Sequence, residues 1–247
     1  MRLKVVNPNT SAAMTEGIGQ AARSVARAGT EIVAVRPEFG PSTIESYYDA
    51  HLAAPGIIDE VVKGEAESID AFVIAGFLDP ALQACREATS RPVVGAGEAA
   101  LDVASMLAAR YAIVTVLPRV RVQIEEMVRA YGCEGKVTSV RTTPLSVHEI
   151  AADPTGTAET LGAEAKRAKA EDGAEAIVLG CAGFADFALE LEAELEMPVL
   201  DGVVCAVKLA EALVELGKRT SKTLTYRVPE AKPFTGILER FGNSEPE

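Results

Sequence analysis

The chain has no tryptophan, and aromatic residues make up only 5% of its 247 positions. Two histidines and four cysteines (Cys85, Cys133, Cys181, Cys205) are scattered without a CxxC or His-rich spacing, so neither a zinc site nor a disulfide framework is indicated. No apolar run reaches the roughly 18 residues needed to cross a bilayer, so no membrane partner is expected. Lysine and arginine are outnumbered by acidic residues, 24 to 36, and the formal charge of −12 argues against nucleic acid or an anionic membrane surface as partner. Met-Arg-Leu-Lys-Val-Val enters a strand directly and lacks the apolar core and cleavage site of a signal peptide, so the cytoplasm is the expected compartment. What is abundant is alanine, valine, leucine and glutamate, within a hydrophobic content of 48%, a mix suited to helices packed on a parallel sheet. At this length the chain can bury a sizeable core.

The most informative stretch is Ala176-Ile-Val-Leu-Gly180-Cys181-Ala-Gly183-Phe184. An apolar strand stops on glycine and places Cys181 at the turn into an amphipathic segment. Such a turn lies at the carboxyl edge of a sheet, where α/β proteins bind ligands, and N–H groups at a helix start there would lower a thiol's pKa. A cysteine among apolar residues is ordinarily a small buried hydrophobe. This one is lifted above that reading by a second copy of its surroundings, Ala71-Phe-Val-Ile-Ala-Gly76-Phe77. The agreement continues in Arg91-Pro92-Val93-Val94-Gly95 against Met197-Pro198-Val199-Leu200-Asp201, and in Glu31–Arg36 against Lys136–Arg141. The chain therefore reads as two similar α/β halves, with Gly76 and Cys181 at equivalent positions facing each other across a cleft.

The pattern predicts strands at Leu3–Val6, Glu31–Val35, Ala71–Ala75 and Val93–Val94, then at Tyr111–Val116, Val137–Val140, Ile177–Leu179 and Val199–Leu200. Thr10 or Ser11 can cap the first helix. The stretch 36–48 reads as a long binding loop, and 142–157 as its irregular counterpart in the second half. Pro55 and Pro80 each suit the first turn of a helix, with Asp79 as N-cap before Pro80. Residues 217–247 are polar, hold Pro229, Pro233 and Pro246, and are expected over the surface. The architecture expected is α/β: two pseudo-symmetric lobes, each a mostly parallel sheet flanked by helices, one built from 1–97 plus 206–247 and the other from 98–205. The ligand site falls between the lobes.

Seven stretches, VVNPNTSAAMT, PSTIESYYD, IAGFLDPAL, RPVVGAGEAA, AIVTVLPRV, EDGAEAIVLGCAGF and MPVLDGVVCAVK, together resemble the hydantoin and allantoin racemases of the aspartate/glutamate/hydantoin racemase superfamily over most of the length. The resemblance implies an isomerase that uses no metal or organic cofactor, acts on a small-molecule substrate and assembles as a homo-oligomer. It implies a pair of cysteines flanking the stereocentre, one removing the α-proton and the other reprotonating the opposite face. Cys181 falls on one of them. The other falls on Gly76, which carries neither acid nor base, and Leu78 and Ala81 also stand where the family has glycines. The same resemblance places backbone N–H groups of Phe77, Ala182 and Gly183, beside Gly180, at the substrate carbonyl, and Asn7, Ser42 and Thr115 at the amide edges of the ring.

A hydantoin's C5 proton is already acidified by its neighbouring carbonyl, so a base on one face and a stabilised enolate oxygen suffice to remove it. With glycine opposite the thiol, two-base racemisation is expected to fail or be slow unless water substitutes. One alternative is a one-thiol lyase resembling arylmalonate decarboxylase, with Gly76 making room for the departing carboxylate. Another is a small-molecule binder that kept the fold and lost the reaction. His51 and His148 read as solvated loop residues, Cys85, Cys133 and Cys205 as packing, and Glu98 as a carboxylate favouring a helix N-terminus. Tyr47 and Tyr48 serve either surface packing or closure over a ligand.

Overall fold

A computed structural model describes residues 1–242, so positions 243–247 of the predicted tail, Pro246 among them, lie outside the described residues. The chain forms two four-stranded parallel sheets. In the first, β1 (Arg2–Val6), β2 (Glu31–Val35), β3 (Ala71–Ile74) and β4 (Val93–Gly95) lie in the order β2-β1-β3-β4. In the second, β5 (Tyr111–Thr115), β6 (Val137–Thr142), β7 (Ile177–Leu179) and β8 (Val199–Asp201) repeat it as β6-β5-β7-β8. Strands β3, β5 and β7 are buried along their whole length, which accounts for their unbroken apolar sequences; the edge strand β6 is partly exposed throughout.

Nine α-helices of the described residues connect or flank these strands: α1 (Ala12–Val25), α2 (Tyr47–Ala66), α3 (Leu82–Ala88), α4 (Ala96–Leu107), α5 (Arg121–Ala130), α6 (Val147–Ala152), α7 (Pro154–Glu171), α8 (Ala188–Leu195) and α9 (Gly202–Glu215). Ser11 caps α1 by accepting the Met14 N–H. The small apolar face of α9, with Val203, Cys205, Ala206, Val207 and Ala210, packs into the cluster formed by Leu3, Val5, Ala71 and Val73 of the first sheet. Ala100, Leu101 and Ala104 of α4 instead join the cluster of Tyr111, Ile113 and Val178 in the second. Each sheet is thus covered by a helix that follows the last strand of the other. Cys205 and Cys85 are packing residues of the first half and Cys133 of the second.

Three local readings of the sequence are corrected. Pro55 does not open a helix but sits inside α2, which starts eight residues earlier because Ser46 caps it through the Asp49 N–H. Proline costs that helix one hydrogen bond in its interior, a loss tolerated where capping and burial of Ala53, Ile57 and Val61 hold the rest. Asp79-Pro80 likewise opens no helix. Asp79 and Ala81 both adopt positive φ, 48° and 61°, and α3 begins only at Leu82. Finally, the stretch 142–157 is not irregular throughout: a Ser146–Glu149 capping box starts α6, and Asp153 caps α7 ahead of Pro154.

The tail leaves α9 and runs along the surface against α3. Thr220 N–H bonds the Ser90 carbonyl at 3.0 Å, and the Tyr226 hydroxyl bonds Gln83 Oε1 at 2.5 Å. Among the described residues no helix is long and apolar enough to cross a membrane.

Candidate active site

Parallel sheets end their strands on one side, and here the carboxyl ends of β1, β3, β5 and β7 converge on one pocket enclosing about 590 Å³ of space open to solvent. Gly76 and Cys181 both line it, as do Asn7, Phe77, Thr115, Gly180 and Ala182. Cys181 is the only titratable side chain in that lining; the remainder is apolar side chain, backbone, Asn7, Asn9 and Thr115.

The cysteine turn is built by close approach. Gly180 N–H bonds Val114 O at 2.8 Å, and the Thr115 hydroxyl donates to Gly180 O at 2.9 Å. A Cβ on Gly180 would stand 2.6 Å from Thr115 Cβ, so only glycine lets β7 finish against β5 here. Cys181 follows in extended conformation and leads into a 3₁₀ segment, Ala182–Phe187, rather than an α-helix. This overturns the expectation that a helix start depresses the thiol's pKa. The Gly183 N–H does point at the sulfur and favours the thiolate, but burial outweighs it and pushes the thiol up to about 11, with the charges of Asp201 and Glu45 adding in the same direction. Cys181 is 8% exposed, enough to meet the pocket.

The pocket wall at the end of β3 differs. Gly76 follows β3, and a Cβ placed on it would lie 2.6 Å from Pro8 Cγ and 3.5 Å from Pro80 Cδ. Two proline rings therefore flank the spot where the equivalent of Cys181 would stand.

Asn7 and Thr115 reach the pocket with their donors already engaged. The Asn7 amide nitrogen donates to Asn9 Oδ1 and Thr15 Oγ1, both at 3.0 Å, and the Thr115 hydroxyl is held by Gly180. In this arrangement both donors hold the strand ends together. Ser42 is exposed and outside the lining; Ile44, two residues on, takes its place. Gly183 is also outside the lining and contributes through its N–H to the sulfur. Phe77 and Ala182, at the ends of β3 and β7, present backbone to the pocket.

The sequence points to Asp79 as the cap of a helix at Pro80; in the structure it caps a different helix. Its carboxylate accepts the Gly97 N–H at 2.9 Å and the Glu98 N–H at 2.7 Å, both at the start of α4, and the Tyr131 hydroxyl at 2.7 Å. The turn carrying Gly76 and Phe77 is thereby tied to α4 and to the end of α5. Burial raises Asp79 to about 7 against the pull of these donors. Glu98 is engaged with Arg86. His51, on α2, and His148, on α6, lie in helices rather than loops; both are exposed and outside the pocket lining. Among the described residues no group of three or more His, Cys, Asp or Glu side chains is arranged to hold a metal ion.

Residues 3–210 match the family model described as Asp/Glu/hydantoin racemase. The chain is 55% identical to the hydantoin racemase of Pseudomonas sp. (strain NS671), over 99% of this chain and 98% of that protein. Among solved structures, an allantoin racemase from Klebsiella pneumoniae superposes with a TM-score of 0.95 at 43% identity, covering 98% of this chain and 99% of that one. Arylmalonate decarboxylase, at 19% identity and a TM-score of 0.63 over 92% of this chain and 97% of that one, shares the fold. Doubled parallel sheets with this degree of likeness to racemases define the class: the protein is an isomerase, a racemase by descent. More particularly, the chain belongs to the Asp/Glu/hydantoin racemase family.

Proposed function

We propose that the protein acts without a cofactor on the C5 proton of a 5-substituted hydantoin or an allantoin-like ring, with Cys181 as its one protein acid/base. The observation that carries this reading is that Cys181 is the sole titratable side chain lining a pocket that Gly76, Pro8 and Pro80 also line. The Cys181 thiolate takes the proton from C5, and the bond's electrons move into the adjacent carbonyl. The oxygen that gains charge is met by backbone N–H groups, and the presence of Phe77 and Ala182 in the pocket lining supports that role. The thiol then returns a proton to the face it left. Delivery to the opposite face falls to water, because no acid stands at position 76.

Exchange of the C5 proton is therefore faster than inversion. The identities to hydantoin and allantoin racemases support the ring class. The test compares wild type with Cys181→Ala on 5-substituted hydantoins and on allantoin in D₂O, following loss of the ring-proton signal by NMR. Wild type is expected to exchange and the variant to fall to the solvent rate. Equal exchange by both removes Cys181 from the chemistry.

A further inference from the structure

The loop between β2 and α2, together with the first residue of α2, reaches from the first half of the molecule to the second and is bonded there twice. Glu45 Oε1 accepts the Val147 N–H at 2.9 Å, and the Tyr47 hydroxyl donates to Glu126 Oε2 at 2.5 Å. Val147 is the first residue of α6 and Glu126 lies on α5, so both contacts close onto the second half. The first bond sits at the pocket itself, since Ile44, the neighbour of Glu45, and Val147 both line it. Glu45 is not free to swing. Its N–H donates to Asp49 Oδ2 at 3.1 Å, and that carboxylate also takes the Ser46 hydroxyl at 2.7 Å. On the other side, Val147 N–H is one of the donors a helix start leaves without an intrahelical acceptor, and the Ser146 side chain serves Glu149 instead. A carboxylate from the other half supplies what α6 lacks.

We propose that Glu45 is a positioning residue for the chemistry at Cys181: it clamps the Ile44 and Val147 walls together over the pocket and sets a negative charge beside the thiol. The charged groups that Cys181 meets are Asp201 and Glu45, with Asp186 acting on Asp201 from behind. Glu45 is the one of these that spans both halves, so opening the loop would remove its charge from the thiol and admit solvent in the same movement. The inference takes Cys181 as the reacting group, following the reading above, but its first test needs no substrate.

Alkylation of Cys181 by iodoacetamide, read by peptide mass spectrometry from about pH 7 to 10, is compared in wild type, Glu45→Gln and Glu45→Ala. Glutamine keeps the acceptor oxygen and loses the charge. It should leave the pocket closed and raise the alkylation rate by a constant factor of roughly threefold across this range, all of which lies below the thiol's own titration. Alanine loses both, and alkylation should be about tenfold faster across the range, the size of one charge-assisted hydrogen bond. In the exchange assay, KM should rise roughly tenfold for Glu45→Ala with kcat changed far less, and Glu45→Gln should restore KM. Wild-type alkylation rates in either the alanine or the glutamine variant overturn the proposal. Should alanine prevent folding, judged by circular dichroism, the glutamine rate decides alone. A wild type that alkylates as expected yet exchanges no hydantoin proton refutes the substrate reading and leaves the role of Glu45 standing.

Discussion

Gly76→Cys is the perturbation that asks most of this account, because it should cost stability and add a reaction. The backbone at position 76 lies outside the left-handed region, so a side chain is not opposed by φ. Packing opposes it. The new Cβ would stand 2.6 Å from Pro8 Cγ, inside contact distance of a ring that cannot rotate away. Overpacking of this kind costs about 1–3 kcal/mol. In a chain of this size that corresponds to a fall in Tm of roughly 2–12 °C. Pro8→Ala added to Gly76→Cys should recover part of that fall.

Against the loss stands a second thiol facing the first across the pocket. An added general acid/base is worth on the order of 10² to 10⁴ in rate. Polarimetry on an optically pure 5-substituted hydantoin should then show racemisation at least about 100-fold faster than wild type at matched protein concentration. A folded variant whose new thiol alkylates readily, yet whose racemisation matches wild type, would show that position 76 does not face the carbon that Cys181 serves.

Other consequences can be checked on the same protein. Because burial holds the Cys181 thiol near 11, the thiolate is scarce at neutrality, and the exchange rate should climb about tenfold per pH unit between roughly pH 7 and 9; a flat profile there would mean another group is the base. Asp79→Ala strands two N–H groups and the Tyr131 hydroxyl, so denaturant melts should show a loss of about 3 kcal/mol, with Asp79→Asn losing less. Asp201 is raised to about 6 by burial, above its unfolded value. It binds its proton more tightly when folded, so stability is fully present below about pH 4 and declines as pH rises toward 6, by about 3 kcal/mol. Melts of wild type and Asp201→Asn across that window should diverge by this slope, and parallel curves would contradict it.

How much of this was readable from residues alone depends on how local the cause is. The paired stretches ending at Gly76 and Cys181 located the ends of β3 and β7, because an unbroken apolar strand closed by glycine is a local signal. Ser11 as a cap was legible for the same reason. Pro55 misled, since proline marks a first turn by propensity, while the capping of α2 by Ser46 and burial of its inner face decide the matter. Asp79 also misled. Its acceptors' partners, Gly97, Glu98 and Tyr131, are far away in sequence, and only tertiary packing makes it the cap of α4. Ser42 had the right chemistry at the wrong position, because the loop's path turns Ile44 inward. The thiol's pKa was misjudged in direction, for burial is a property of the folded surroundings that no short motif records. Pro8, Pro80 and Val147 carried no signal of a pocket wall, and the contact of Glu45 with Val147 joins segments a hundred residues apart.

The central claim is that sulfur serves one face of the substrate carbon and protein offers nothing to the other. Deuterium entry at C5 and loss of optical rotation, followed together on one enantiomerically pure hydantoin in D₂O, measure this directly. The account predicts that deuterium enters many times faster than rotation decays. Equal rates for the two would contradict it, because they require a second proton carrier opposite Cys181.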